Sequence, residues 1–211
     1  RIRELFRETV RRHIISEADA TTLLDGITST TEWTAFADVD LAIEAVTERL
    51  DVKRDVFTQL ERHCSPNAVL ASNTSSLSIR DIALPLRDHD RVLGLHFFNP
   101  VSRMPLVEVI RTSGSSEQDV AILIEFVKRL GKVPIVAADS PGFVVNRILF
   151  PYLDEAVRLH CEGVSPTEID RAMTQFGMPM GPLELLDQVG LDVAAQVAEQ
   201  LGGLSSQASP T

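Results

Sequence analysis

The chain has 211 residues, enough for one or two domains, and its 44% hydrophobic and 24% charged residues are typical of a folded globular protein rather than a disordered one. Its net charge of -10 at pH 7 argues against nucleic acid as a partner, because that binding depends on Lys and Arg neutralising phosphates. No apolar run approaches the ~20 residues that span a bilayer, and Cys64 and Cys161 have no metal-ligand spacing, so we expect no membrane span, no metal site and a reducing compartment, the cytoplasm.

The first predicted elements are two helices. Apolar spacing between Ile2 and Val10 predicts a helix that is already under way at Arg1. Ser16 can cap a second helix that runs to about residue 24, with Gly26 as its stop. The segment GITST, which begins at Gly26, is then predicted to be a short strand.

From residue 41 to residue 138, predicted strands and helices alternate. The run LAIEAV, Leu41–Val46, is almost entirely apolar, which is typical of a strand buried on both faces. Alternation at this spacing predicts a doubly wound, mostly parallel sheet of the α/β class. The elements predicted after Val46 are helix 51–63, strand 68–72, helix 78–84, strands 91–98 and 106–111, helix 117–130 and strand 133–138.

The alternation stops at about Ala138, and only helices are predicted beyond it. They cover residues 143–161, 166–176 and 182–201. The segment DSPG, residues 139–142, indicates a boundary, with Ser140 as a helix N-cap and Pro141 at the first helical position. We therefore expect an α/β domain over residues 1–138 and the start of an all-helical domain over residues 139–211.

The heptad GLHFFNP, residues 94–100, carries His96 where a predicted strand ends, and the next strand, in PLVEVIR, carries Glu108. Both faces of that next strand are apolar, so a carboxylate buried there needs a partner; an edge strand with a wet face explains the spacing equally well. A short connection makes the two strands neighbours. A histidine bonded to a carboxylate is the usual form of an oriented general base, although a lone histidine at a strand end is more often structural.

Other polar residues follow predicted strands, where open α/β sheets bind ligands. The segment ASNTSSLSI, residues 71–79, contains Asn73 and Ser75; an ordinary Ser/Thr turn is the alternative. Glu48 and Lys53 follow LAIEAV, either as ligand contacts or as a surface charge pair. Asn146 lies one turn into the first helix beyond the boundary, and its spacing alone favours a solvated or capping amide.

Taken together, four segments carry a family resemblance. ASNTSSLSI, GLHFFNPVSRMPLVEVI, DSPGFVVNRIL and GMPMGPLELLD resemble, in order and spacing, the signature segments of L-3-hydroxyacyl-CoA dehydrogenases. The start of the chain and the segment FGMPMGPLELLDQVGLDVA look more like the dehydrogenase part of multifunctional fatty-acid oxidation proteins than like short stand-alone enzymes. The resemblance implies an oxidoreductase of β-oxidation that passes a hydride from the 3-hydroxyl carbon of an acyl-CoA to NAD. It also implies a homo-oligomer, such as a dimer, or a part of a multifunctional protein.

The same resemblance implies roles for individual residues. His96 matches the catalytic histidine that takes the hydroxyl proton, and Glu108 matches the carboxylate paired with it. Ser75 and Asn146 match residues that hold the substrate oxygen. The residues that match positions near the cofactor are Glu48, Lys53, Asn73, Ser75 and Asn99, of which Asn99 also lies near the substrate.

One departure from the family pattern concerns the cofactor. Members begin with a strand, a glycine-rich turn and a helix that hold the pyrophosphate, and no such unit precedes the first predicted helix here. We therefore expect a sequence that is truncated at its N-terminus, and also after about Gly203, and that binds NAD weakly by itself. Two alternatives stay open: a related dehydrogenase of a small hydroxy acid without CoA, and an inactive fragment whose parent chain carries the activity.

Overall fold

A computed structural model describes residues 2–191 of the chain. Its centre is a five-stranded sheet in the order β1-β2-β3-β4-β5, with strands β1 (Leu41–Glu44), β2 (Val69–Ser72), β3 (Val92–Phe97), β4 (Leu106–Arg111) and β5 (Val133–Ala138). All neighbouring pairs are parallel except β3 and β4, which are antiparallel. The predicted class, a mostly parallel doubly wound sheet followed by a helical domain, is confirmed.

Helices cover both faces of this sheet. Helices α3 (Leu50–His63) and α4 (Ile79–Ala83) pack on one face, where Phe57 and Ile82 are fully buried. Helix α5 (Glu117–Arg129) packs on the other face, where Leu123 is fully buried among side chains of β2, β3 and β4. Two-sided burial explains why β2, β3 and β4 are almost continuously apolar, and it makes any charged residue inside them conspicuous. The edge strands are partly exposed, with Ile43 of β1 at 40% and Val133 of β5 at 57%, so the expectation that Leu41–Val46 is buried on both faces is wrong.

Helices also flank the sheet in the sequence. Before it come α1 (Ile2–Arg11) and α2 (Glu17–Asp25), and Ser16 caps α2 as predicted. After β5 come α6 (Val145–Cys161), α7 (Pro166–Phe176) and α8 (Pro182–Val189). Two short 3-10 helices cover Trp33–Phe36 and His89–Arg91. No helix within residues 2–191 is both long and apolar enough to cross a membrane.

The prediction of a strand at GITST is wrong. Residues 27–30 form no helix or strand, and Gly26 ends α2 instead. Ile27 is the only apolar side chain of the segment, and it is 47% exposed. A strand of this length has no apolar face to bury and therefore gains little from joining the sheet.

The predicted helix start at Ser140 and Pro141 is also wrong. Residues 141–144 form turns, Gly142 and Phe143 have positive φ values of 73° and 48°, and α6 begins only at Val145. Val144, the N-cap residue, makes no side-chain capping bond. The third predicted helix, 182–201, is observed as α8 to Val189, and its part beyond residue 191 lies outside the described residues.

Candidate active site

His96 and Glu108 form a buried pair where β3 approaches its end. The antiparallel register places them directly opposite each other, and His96 Nδ1 lies 2.7 Å from Glu108 Oε2. Glu108 is fully buried and His96 is 4% exposed. A carboxylate at Nδ1 holds the proton on that nitrogen and leaves the lone pair on Nε2, which has no hydrogen-bond partner within residues 2–191. The pair has the form of an oriented general base.

The second oxygen of Glu108 binds the start of α6. Oε1 accepts hydrogen bonds from the backbone N–H groups of Val144 and Val145, each at 2.9 Å. These are groups that a helix leaves without an intrahelical partner, so Glu108 replaces the missing local cap. Burial raises the pKa of Glu108, but the hydrogen bonds from His96, Val145 and Val144 outweigh it, and the pKa lies below its ordinary value. The carboxylate is therefore ionised at neutral pH.

Two phenylalanines pack against the His96 ring. The ring centroid of Phe98 lies 4.5 Å from that of His96, and the centroid of Phe143 lies 5.9 Å away. Phe143 is buried although its backbone is left-handed, a conformation that bulky residues seldom adopt. Its position brings the two N–H groups that follow it onto Glu108 and its ring onto His96. The turn before α6 is thus a wall of the site.

Glu48 organises the turn after β2. Its Oε1 accepts hydrogen bonds from Thr74 Oγ1 at 2.6 Å, Ser75 N at 2.9 Å, and Ser76 N and Oγ at 3.2 and 3.1 Å. Burial raises the pKa of Glu48, yet the bonds from Thr74 and Ser75 and the charge of Lys53 outweigh it, so that the pKa lies below its ordinary value. Glu48 and Lys53 are therefore not an isolated surface pair, because Glu48 fixes a segment of backbone.

A buried acidic residue that the sequence analysis missed holds Lys53. Glu44, at the end of β1, has a fully buried side chain, and its Oε1 lies 2.8 Å from the fully buried Nζ of Lys53. The same Nζ lies 3.3 Å from Glu48 Oε2. An acidic residue inside the apolar run LAIEAV is the same signal that drew attention to Glu108, and it would have identified Glu44.

The asparagines connect these groups. Asn73 Oδ1 accepts a hydrogen bond from the backbone N–H of Phe97, the residue after His96. Asn146 Nδ2 donates to the carbonyl oxygen of Ser75 at 3.2 Å, so that α6 touches the turn after β2. Because α6 also binds Glu108, it joins the turn that carries Ser75 to the His96–Glu108 pair. The structure therefore brings together four of the predicted site residues: Ser75, His96, Glu108 and Asn146.

Asn99 is the predicted site residue with the weakest ties to the others. It is exposed and makes no side-chain hydrogen bond within the described part of the chain. The loop after it is held instead by Lys132, whose Nζ donates to the carbonyl oxygens of Val101 and Met104 at 2.6 and 2.7 Å. Lys132 thus holds the loop that follows Asn99, while the Asn99 side chain has no hydrogen-bond partner within residues 2–191.

The donor set that the chain presents suits one part of a dinucleotide. The Asn73 amide nitrogen and the Ser75 hydroxyl, which have no hydrogen-bond partner within residues 2–191, lie in the turn after β2, at the carboxyl end of a parallel strand where open α/β sheets bind ligands. A pyrophosphate requires a glycine-rich turn at a helix N-terminus, and none follows a strand of the sheet within residues 2–191. These groups suit the hydroxyl and amide groups of a ligand rather than a phosphate. Residues 2–191 contain no cluster of three or more His, Cys, Asp or Glu side chains that could hold a metal ion.

Two family models match the chain. The model of the NAD binding domain of 3-hydroxyacyl-CoA dehydrogenase matches residues 1–140, and the model of the C-terminal domain of the same enzyme matches residues 142–210. The two matches meet inside the segment DSPG. Together they account for almost every residue, including all the predicted site residues.

Solved structures of such enzymes are similar in sequence and fold. The (S)-3-hydroxybutyryl-CoA dehydrogenase of Ralstonia eutropha is 40% identical with a TM-score of 0.90, over 94% of this chain and 71% of that one. The 3-hydroxybutyryl-CoA dehydrogenase of Escherichia coli is also 40% identical with a TM-score of 0.90, over 95% of this chain but 43% of that one. A diketoreductase that acts on dicarbonyl compounds is 30% identical with a TM-score of 0.83, over 96% of this chain and 77% of that one.

Proposed function

The chain belongs to the 3-hydroxyacyl-CoA dehydrogenase family, and from that premise we propose that it oxidises the 3-hydroxyl group of an acyl-CoA to a ketone, with NAD as hydride acceptor. The observation that carries this proposal is the buried hydrogen bond of 2.7 Å between His96 and Glu108. Loss of a hydride from an alcohol carbon requires removal of the hydroxyl proton, and this pair is built to accept one.

His96 acts as the general base in this proposal. Its Nδ1–H donates to Glu108, so Nε2 carries the lone pair that takes the substrate hydroxyl proton. Glu108 then stabilises the imidazolium that forms, because it is ionised and in direct contact. In the reverse direction the imidazolium returns the proton as the ketone is reduced.

Ser75 and Asn146 hold the substrate oxygen. Negative charge grows on this oxygen as its proton leaves, and donors fixed beforehand stabilise that charge without reorganising. The contact between Asn146 Nδ2 and the Ser75 carbonyl oxygen keeps the two residues adjacent. An amide N–H of Asn146 and the hydroxyl of Ser75 are the donors that we assign to this task.

Glu48, Asn73 and Asn99 face the cofactor in this proposal, and Lys53, whose side chain is fully buried, supports them through its contact with Glu48 rather than by touching the cofactor. NAD, when bound, supplies the acceptor for the hydride. Glu48 fixes the turn at residues 74–76, and Asn73 ties that turn to the end of β3 next to His96. These residues thereby set the distance between the cofactor and the base. We retain the division at residues 138 and 139 as the proposed domain boundary.

The test is an assay of the full-length gene product. NADH formation with (S)-3-hydroxybutyryl-CoA and with a longer 3-hydroxyacyl-CoA is expected, with little or none with the free hydroxy acids. Turnover of neither thioester would refute the proposal. Titration of the 211-residue chain with NADH measures directly whether these residues bind the cofactor. β-Oxidation, a cytoplasmic location and a homo-oligomer or multifunctional assembly stay predictions.

A second candidate function is oxidation or reduction of a small substrate without CoA. The observation that favours it is the 30% identity to a diketoreductase over 96% of this chain. The same base and oxygen donors serve either substrate, since they act only on the carbon that bears the oxygen. Higher kcat/KM with a free hydroxy acid or a dicarbonyl compound than with its thioester would favour this candidate.

A further inference from the structure

Glu44 is a fully buried charged residue that the proposed chemistry does not use. Its oxygens are occupied by Lys53 Nζ at 2.8 and 3.0 Å, by Ser72 Oγ at 2.6 Å and by the backbone N–H of Val46 at 2.6 Å. With its side chain inaccessible to solvent, it touches neither substrate nor cofactor. A buried carboxylate is costly unless it is paired, so its presence at the end of β1 calls for a physical role.

The role follows from how Lys53 is shared between two carboxylates. Its ammonium group contacts both oxygens of Glu44. Of the two oxygens of Glu48 it contacts only Oε2, at 3.3 Å. Because Glu44 holds most of the ammonium group, Glu48 keeps Oε1 for the turn at residues 74–76, where it accepts hydrogen bonds from three consecutive residues. Within this turn, the carbonyl oxygen of Ser75 accepts a hydrogen bond from Asn146 Nδ2.

We propose that Glu44 is a positioning residue for the candidate active site. It retains Lys53 so that Glu48 can fix the turn at residues 74–76. That turn places the carbonyl oxygen of Ser75 where Asn146 binds it. The part of this inference that concerns turnover rests on the proposed function. The part that concerns the turn does not, because it is a statement about which groups Glu48 binds.

A neutral side chain at position 44 reveals the effect. In Glu44→Gln the shape is kept, but Glu48 is then the only carboxylate partner of Lys53 within residues 2–191. Attraction between opposite charges is strong where water is excluded, so the ammonium group moves toward Glu48 and draws that carboxylate with it. Glu48 Oε1 then leaves the N–H groups of Ser75 and Ser76, which become free to exchange with solvent.

The experiment is amide hydrogen exchange on the full-length gene product. We expect exchange of the Ser75 and Ser76 amides to accelerate about tenfold or more in Glu44→Gln, while the amides of β3 and α5 keep their protection. The matched control is Glu61→Gln. Glu61 also binds two backbone N–H groups, those of Arg87 and Asp88, but at a distance from this turn, and its loss should leave residues 74–76 unchanged.

A double variant separates positioning from general stability. In Glu44→Gln with Lys53→Met there is no ammonium group to draw Glu48 away, so protection of Ser75 and Ser76 should return toward that of the parent protein. If Glu44 served only the stability of the fold, the single variant would instead accelerate exchange throughout the sheet, and the second substitution would not restore this turn selectively. That result would overturn the proposal.

A milder variant covers the case in which Glu44→Gln does not fold. Glu44→Asp keeps the negative charge but withdraws it from Lys53, so that the ammonium group shifts part of the way toward Glu48, and it should accelerate the same two amides by a smaller factor. Unchanged exchange at Ser75 and Ser76 in a folded Glu44→Gln, or in Glu44→Asp, contradicts the proposal. Lower kcat with the thioester in Glu44→Gln supports the catalytic part. Accelerated exchange in a protein with no dehydrogenase activity would sustain the positioning role and refute only the proposed function.

Discussion

His96 and Glu108 lie directly opposite each other on β3 and β4, with 2.7 Å between Nδ1 of the imidazole and Oε2 of the carboxylate. The same carboxylate binds the first N–H groups of α6 through its other oxygen. One buried side chain therefore fixes the orientation of the base and attaches the first helix of the helical part to the sheet. A change in the position of α6 would therefore alter the orientation of His96 through this carboxylate.

Replacing His96 tests the base. In His96→Gln we expect kcat with 3-hydroxybutyryl-CoA to fall by about 10²–10⁴, the range that a general base contributes, because an amide cannot take the hydroxyl proton. The midpoint of thermal unfolding should change little, since the amide can still donate to Glu108. The measurement is steady-state NADH formation alongside a thermal melt.

His89 supplies the control for that substitution. Its side chain is 60% exposed and pairs only with the neighbouring Asp90 within the described residues. His89→Gln should therefore keep the kcat of the parent protein. Turnover by His96→Gln within a factor of about ten of the parent would rule out His96 as the base.

Replacing Glu108 should affect two places at once. In Glu108→Gln the amide orients His96 poorly and does not stabilise an imidazolium, so kcat should fall while KM changes less. The amides of Val144 and Val145 should also exchange faster, because they lose a charged acceptor. Hydrogen exchange and kinetics on the same sample check both. Loss of activity without any change at the start of α6 would show that the helix contact is incidental.

Acid should destabilise the fold through the same carboxylate. The pKa of Glu108 is lowered from the ordinary value of 4.5, so its stabilising contribution is complete above that value and is lost as the pH falls through the lower pKa of the folded state. Urea unfolding measured from neutral pH down to about pH 3 should show a steeper decline for the parent protein than for Glu108→Gln. Parallel declines would contradict this assignment, although Glu48, whose pKa is also lowered, adds its own decline to both curves.

Much of this fold was predictable from its apolar pattern. Short continuous apolar runs indicated the strands, and β3, β4 and β5 were predicted to within a residue of their observed bounds, although β5 is largely exposed. The pairing of His96 with Glu108 was also predictable, because a carboxylate in a two-sided apolar strand requires a nearby partner. The apolar runs indicate the strands, and the short connection between β3 and β4 indicates that the two strands are neighbours.

The remaining contacts depend on how the folded chain brings residues together in space. Glu108 caps α6 across more than thirty residues, and this distant carboxylate displaced the local cap predicted at Ser140. The link from Glu44 through Lys53 to Glu48 arises because the end of β1 meets the first turns of α3 in space. Sequence spacing gives no such distances, so these side chains looked like surface charges or went unnoticed.

Asn146 should contribute to the stabilisation of the substrate oxygen. Asn146→Ala removes an amide donor beside Ser75, and we expect kcat to fall by about 10²–10³ with a smaller change in KM, as for other donors to a developing oxyanion. Asn67→Ala is the control, since Asn67 lies before β2, at the opposite end of that strand from Ser75. An unchanged kcat for Asn146→Ala would remove this residue from the proposed chemistry.

Gly94 permits the close approach of β3 and β4 on which the His96–Glu108 contact depends. A Cβ atom at this position would lie 2.8 Å from Cβ of Ile110, its partner in the register, and 2.9 Å from Cδ1 of Ile79. Gly94→Ala should therefore lower the free energy of unfolding by about 1–3 kcal/mol, the usual cost of overpacking a core, as measured by urea denaturation. Gly26→Ala is the control, because a Cβ atom there meets its nearest neighbour at 3.5 Å and the backbone φ is negative. If Gly94→Ala were as stable as the parent protein, β3 and β4 could move apart without cost. The close approach of the two strands would then not be required to orient His96.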